Sequence, residues 1–89
     1  MEQYGIVLFY QTKDAMQAEK EAKKRGLNAR IIPTPASIYA SCGFSLRYEL
    51  EEEAALTALL MQWGIHHEAL YHAVLEGLKA SYEKIEGGE

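Results

Sequence analysis

The sequence predicts an α+β fold of the ferredoxin-like plait type, with elements in the order β-α-β-β-α-β and an additional C-terminal helix. Apolar runs of strand length alternate with stretches that have helical periodicity, and glycine or proline closes most of these segments. The 89 residues suffice for one domain. We expect an antiparallel sheet that carries both helices on one face and leaves its other face open.

The first part of the chain predicts a strand, a helix and a second strand. Residues 4–10 are almost continuously apolar, which is typical of a central strand. Thr12 resembles a helix N-cap, and residues 13–25 are rich in alanine, glutamate and lysine, which favour helix. Residues 29–32 form the next predicted strand, which Pro33 closes.

A second strand and helix follow the proline loop. Residues 44–50 alternate with period two, which predicts a half-buried strand with Phe44, Leu46 and Tyr48 on the core side. Residues 51–63 begin with three glutamates and carry leucines at helical spacing, which predicts a helix with Trp63 as a core anchor.

Composition excludes several classes of function. A net charge of −4 argues against a nucleic-acid-binding protein, which needs a basic surface. We find neither a secretion signal nor an apolar run of the roughly 20 residues that span a bilayer, so we expect no membrane partner. A lone cysteine fits a reducing cytoplasm.

Cys42 is the residue on which we expect any chemistry to centre. It lies between a loop stiffened by Pro33 and Pro35 and the predicted strand 44–50. Gly43 leaves room beside the sulfur, and Ser41 and the loop amides could donate hydrogen bonds to a thiolate. A cation stabilises a thiolate, and Arg47 is the nearest candidate in sequence. A small buried apolar residue is the alternative interpretation of Cys42.

The histidines do not predict a metal site. His66 and His67 are adjacent, and His72 stands at neither of the spacings that place two ligands on one helix face. We expect surface histidines and no bound metal.

The sequence resembles a family of small bacterial and archaeal selenium/sulfur carrier-like proteins, a domain of unknown function. The resemblance lies in the segments 32–35 (Ile-Pro-Thr-Pro), 41–43 (Ser-Cys-Gly) and 46–47 (Leu-Arg), and it covers about residues 4–73. It implies that Cys42 carries sulfur or selenium as a transient persulfide or selenosulfide, with no resident cofactor. Partners would be a cysteine desulfurase-type donor and an acceptor protein, so that the chain is a carrier rather than a stand-alone enzyme. The residues expected to support the thiol are Thr34, Ser41, Gly43 and Arg47.

The C-terminal part allows two interpretations. Residues 65–73 could be strand or helix, and the resemblance favours a strand over 68–72. Leu70, Val74, Leu78 and Tyr82 have helical spacing, which predicts a helical extension over about 74–85 beyond the core at 4–73. That extension would cover a face or serve a homodimer contact, and we expect a disordered end at 86–89.

A second function class stays open. A non-catalytic binding or regulatory module would use the open sheet face or the C-terminal helix to hold a protein partner, as ferredoxin-like plaits often do.

Overall fold

The computed structural model describes residues 1–87, in which five strands form one antiparallel sheet. The strands are β1 (Glu2–Leu8), β2 (Arg30–Pro33), β3 (Phe44–Tyr48), β4 (Ala69–Glu76) and β5 (Lys79–Gly87), and the helices are α1 (Thr12–Lys24) and α2 (Glu53–Gln62). A short 3-10 turn, Leu50–Glu52, precedes α2. The strand order is β2-β3-β1-β4-β5. The predicted α+β class is confirmed, whereas the ferredoxin-like plait stays a prediction.

Both helices pack on one face of the sheet. A first apolar cluster fills the space between the helices and the sheet. It consists of small residues of α1, leucines of α2 and side chains at alternate strand positions of the sheet. The alanines let α1 lie close to the sheet, because a methyl group keeps the backbones near each other. The buried residues of this first cluster include Ala15, Ala18, Ala22, Leu56, Leu59, Leu60, Val7, Leu46 and Leu70.

The opposite face of the sheet carries a second apolar cluster. Tyr4, Ile6 and Leu8 of β1 point to this side and are buried. Part of their cover comes from Ile38, which lies in the loop between β2 and β3 and is itself buried. The second face is therefore closed at one end by the loop that leads to Cys42, and it is less open than the sequence predicts.

The predicted C-terminal helix over 74–85 is wrong, because β4 and β5 form an antiparallel hairpin there. Gly77 and Leu78 are the two residues between the paired ends of these strands, and Gly77 has a φ of 62°. A positive φ at the first central position is what a type II′ hairpin turn requires. The four-residue spacing that suggested a helix is also a multiple of two, so it fits a strand equally well.

The other predictions for this region are partly corrected. The strand expected over 68–72 is present as β4. Glu86 and Gly87 pair with β4, so the disorder predicted for 86–89 is wrong for these two residues, and residues 88–89 lie outside the described part of the chain. Trp63 is 46% exposed and is not a core anchor, because α2 has ended before it.

No helix within residues 1–87 is long and apolar enough to cross a membrane.

The ring of Tyr48 lies directly over Gly5 on the helix side of the sheet. The two residues are partners in the β1–β3 register, and a Cβ built on Gly5 would lie 2.0 Å from Cζ of Tyr48. The ring is 1% exposed, and no described group completes a hydrogen bond with its hydroxyl. Burial, followed by the charge of Glu53, raises the pKa of Tyr48 above the ordinary value of 10.0.

A raised pKa on Tyr48 predicts that the protein loses stability at alkaline pH. Above about pH 10 the unfolded chain releases the phenol proton while the folded chain keeps it, so each pH unit lowers the free energy of unfolding by about 1.4 kcal/mol. The Tyr48→Phe variant lacks this contribution and should lose stability less steeply. Urea unfolding at several pH values between about 9 and 11.5 measures the slope.

The matched control for this measurement is Tyr39→Phe, because Tyr39 is 94% exposed. Its stability should fall with pH as that of the unchanged chain does. Equal slopes for Tyr48→Phe and the unchanged chain would show that the buried phenol does not control alkaline unfolding.

Candidate functional site

Cys42 occupies the end of the β2–β3 loop, two residues before β3 begins. The proline-stiffened loop leaves β2 after Pro33, and the Thr34 N–H donates to the Gly43 carbonyl at 2.9 Å, which brings the two ends of the loop together. Cys42 is 7% exposed and is one of the buried residues. The bond between Thr34 and Gly43 therefore positions the backbone beside a cysteine that has little contact with solvent.

Two uncharged donors contact the sulfur. The Phe44 backbone N–H donates to Sγ at 3.4 Å, and Oγ1 of Thr12 lies 3.3 Å from Sγ. While the thiol is protonated, either Oγ1 of Thr12 or Sγ of Cys42 can be the donor in their contact. A thiolate would accept hydrogen bonds from both the Thr12 hydroxyl and the Phe44 N–H. The sulfur is thus held where a negative charge on it would receive two hydrogen bonds.

Thr12 has a different role from the one that the sequence predicts. It is the first residue of α1, the N-cap position is Gln11, and no side-chain cap is formed. The Thr12 hydroxyl contacts a cysteine 30 residues away instead. No local sequence signal could have shown this contact, because it depends on how the β1–α1 turn meets the β2–β3 loop.

Thr34 and Ser45 form a polar pair beneath the loop. Oγ1 of Thr34 donates to the Cys42 carbonyl at 3.1 Å and lies 2.6 Å from Oγ of Ser45. Ser45 is fully buried although the alternation of its strand predicts an outward side chain. The loop covers that face, so the two hydroxyls satisfy each other where water does not reach.

Ser41 is attached to the carboxylate of Glu68. The Ser41 N–H donates to Oε1 and the Ser41 hydroxyl donates to Oε2, both at 3.0 Å. The backbone N–H of Glu68 in turn donates to the Leu8 carbonyl at 2.6 Å, which fixes Glu68 beside the end of β1. Sequence reasoning had no signal for this pair, whose members are 27 residues apart.

Arg47 is engaged away from the sulfur. Its guanidinium forms an ion pair with Glu2 and lies 3.8 Å above the centroid of the Tyr4 ring. The structure therefore brings Thr34, Ser41 and Gly43 to Cys42 but leaves Arg47 with partners on β1.

Two depressions flank the Cys42 loop. One is a cleft of about 420 Å³, lined by Leu8, Tyr10, Tyr39, Glu68, Ala69, Tyr71 and Lys84. The other is an apolar groove of about 260 Å³, lined by Thr12, Met16, Ile31 and Phe44. Tyr39 stands almost fully exposed at the rim of the cleft.

His67 and His72 have carboxylate partners. Nε2 of His72 lies 3.0 Å from a Glu53 oxygen, and Nε2 of His67 lies 3.6 Å from Glu86. Residues 1–87 contain no group of three or more histidine, cysteine, aspartate or glutamate side chains placed to hold a metal ion.

Comparison with known protein families gives a match over most of the chain. The model of the family described as "Putative Se/S carrier protein-like" matches residues 4–72, which is more than three quarters of the chain. The chain belongs to this family. The matched segment contains Cys42 and its contacts Thr12, Thr34 and Phe44, together with Ser41 and Glu68. The resemblance seen in the sequence is therefore confirmed.

The family segment ends inside β4. The part of β4 after residue 72 and the whole of β5 lie beyond it. No curated protein and no solved structure matches the chain.

Proposed function

We propose that this protein carries sulfur or selenium on Cys42, as a persulfide or a selenosulfide, between two protein partners. The supporting observation is the arrangement of Thr12 and Phe44, which aim a hydroxyl and an N–H at the sulfur of a chain that belongs to a Se/S carrier-like family. The chalcogen is cargo, so that no resident cofactor is needed.

The loading step is an exchange between two sulfur centres. The Cys42 thiolate attacks the outer sulfur of a donor persulfide, R–S–SH, and forms the new S–S bond. The donor S–S bond breaks, and its electron pair leaves with the inner sulfur as the donor thiolate. No oxidant is consumed, because one S–S bond replaces another.

Unloading repeats the exchange in the other direction. An acceptor thiolate attacks the outer sulfur on Cys42, and the Cys42 thiolate leaves. Thr12 and Phe44 would stabilise that leaving thiolate through the same two hydrogen bonds. A selenium atom in the outer position follows the same balance.

An apolar groove bordered by the two residues that contact the sulfur could receive a second chalcogen atom. Thr12 and Phe44 also line the apolar groove of about 260 Å³. A large, polarizable sulfur or selenium atom suits such a lining better than it suits water. The groove is thus the expected place for the carried atom.

The partners in this scheme are a cysteine desulfurase-type donor and a sulfur or selenium acceptor protein. A reducing, cytoplasmic compartment is the expected setting, because it keeps Cys42 free between transfers. The protein acts as a carrier and not as a stand-alone enzyme, since a self-contained dithiol oxidoreductase needs a second cysteine and the sequence contains one.

Sulfur loading provides the test. After incubation with a cysteine desulfurase and cysteine, intact-mass spectrometry should show the chain heavier by one sulfur atom, and dithiothreitol should remove the added mass. The Cys42→Ser variant should gain none. An equal gain in that variant would place the sulfur elsewhere and rule out the carrier role.

The alternative is a binding module that uses the second face of the sheet. A C-terminal helix cannot provide the binding surface, because the strand β5 occupies the region where that helix was expected. Two results would favour this alternative: no sulfur is loaded on Cys42, and the protein forms a homodimer that persists in the Cys42→Ala variant.

A further inference from the structure

A sulfur carrier needs its thiol to be reachable, and Cys42 is nearly covered. In thiol–persulfide exchange the attacking and attacked sulfur atoms must meet directly, so the donor must approach Sγ closely. The Cys42 side chain is 7% exposed when the loop lies in place. The exchange therefore needs a local movement that exposes Sγ, and Cys42 itself lies in the loop between β2 and β3.

Besides the contacts of the Cys42 sulfur with Thr12 and Phe44, three attachments hold the loop. At its stem, Thr34 holds the backbone at Cys42 and Gly43. In its middle, Ile38 is buried in the second apolar cluster. Near its end, the side chain of Glu68 accepts both the N–H and the hydroxyl of Ser41, the residue directly before Cys42.

Only the third attachment can be reached from outside without unpacking the sheet. Ser41 is exposed, Glu68 is half-buried, and Glu68 lines the cleft of about 420 Å³ beside the loop. Thr34 is instead bonded to the fully buried Ser45. The carboxylate that accepts both hydrogen bonds from Ser41 is thus at the surface, and Ser41 directly precedes Cys42 in the loop.

We propose that Glu68 is a positioning residue that keeps the loop closed over Cys42 and that release of Ser41 from its carboxylate exposes the thiol. This role concerns regulation of the site described under the proposed function and rests on that function for its purpose. Its physical basis is independent of sulfur transfer, because the two hydrogen bonds favour the closed loop whatever Cys42 carries. Glu68 is held in place for this contact by its own backbone bond to Leu8.

The alkylation rate of Cys42 in the folded protein measures the opening. When the loop closes faster than iodoacetamide reacts, the observed rate follows the population of the open form. We expect Glu68→Ala to raise that rate about tenfold, because it removes both hydrogen bonds to Ser41 and each is expected to contribute about threefold. Glu68→Gln keeps a carbonyl acceptor for the Ser41 N–H and should restore most of the protection.

Two further variants complete the set. Ser41→Ala loses only the hydroxyl bond, so its rate should rise less, by about threefold. It also keeps the proposal testable if Glu68→Ala fails to fold. Glu83→Ala removes the same charge from an exposed position on β5 and should alkylate at the rate of the unchanged chain.

Dependence of the alkylation rate on urea separates a local latch from general destabilisation. Local opening exposes little surface, so the faster rate in Glu68→Ala should change little at low urea concentration. A rate that rises steeply with urea in that variant would mean global unfolding and would overturn the proposal.

An unchanged alkylation rate in folded Glu68→Ala and Ser41→Ala would overturn the proposal as well. Because alkylation needs no sulfur donor, a tenfold rise together with failed sulfur loading would support the latch and contradict the carrier function. The two ideas therefore fail separately.

Discussion

Replacement of Gly5 by alanine should destabilise the protein by about 3 kcal/mol or prevent it from folding. The added Cβ would lie 2.0 Å from Cζ and 2.4 Å from Cε1 of Tyr48, far inside van der Waals contact. Tyr48 is 1% exposed and belongs to the first apolar cluster, and close packing in a protein core opposes a shift of its ring. Since native domains are stable by only about 5–15 kcal/mol, urea or thermal unfolding should show the loss clearly.

Gly43→Ala is the matched control. A Cβ on Gly43 meets nothing within 4 Å, and the backbone there has no positive φ. Its free energy of unfolding should stay within about 0.5 kcal/mol of that of the unchanged chain. The cost of Gly5→Ala should also shrink in a Tyr48→Leu background, where the ring is absent. An equal cost in both backgrounds would mean that the contact with Tyr48 is not the cause.

Thr34→Val should cost about 2 kcal/mol of stability although it preserves the shape of the side chain. The substitution leaves the hydroxyl of Ser45 without its partner in a position that water does not reach, and it removes the bond to the Cys42 carbonyl. An unsatisfied buried group costs more than a whole hydrogen bond gains. Urea unfolding measures the difference.

A double substitution distinguishes this explanation from simple loss of packing. Thr34→Val combined with Ser45→Ala removes both hydroxyls, so its cost should be smaller than the sum of the two single costs. Thr57→Val is the control, because the Thr57 hydroxyl donates to a carbonyl of its own helix at the exposed surface. If the effects of Thr34→Val and Ser45→Ala are additive, the hydroxyl pair does not carry the stabilisation.

Local patterns predicted most of the fold. The apolar run of β1 and the alanine-rich periodicity of α1 match the burial of their side chains. The alternation of β3 holds for Leu46 and Tyr48, but Phe44, which was expected on the core side, is 45% exposed and Ser45 is buried.

The prediction failed at the C-terminus, where a spacing of four fits helix and strand alike. A hairpin is indicated by the two residues Gly77 and Leu78 between segments of strand length, because glycine suits the first central position of a two-residue turn. This turn signal favours β5 over a helix.

The candidate site was less predictable than the fold. The loop, its prolines and Cys42 itself are adjacent in sequence, and the expectation that they lie together needed only chain connectivity. Thr12 and Glu68 reach the loop from positions 30 and 27 residues away from Cys42 and Ser41. Such contacts arise from the order of strands in the sheet, which a single sequence does not encode locally.

The β2 edge of the sheet has a side-chain contact that limits how copies of the protein could join. On this edge, the Ile31 N–H is already bonded at 2.9 Å to a carboxylate oxygen of Glu19 from α1. An incoming strand would have to displace that carboxylate, so strand addition at the β2 edge is opposed. If two copies pair through the same edge strand of each, the interface has two-fold symmetry and the assembly stops at a dimer. Fibrous growth, which needs a receptive edge at each end of every unit, is therefore opposed by a single glutamate.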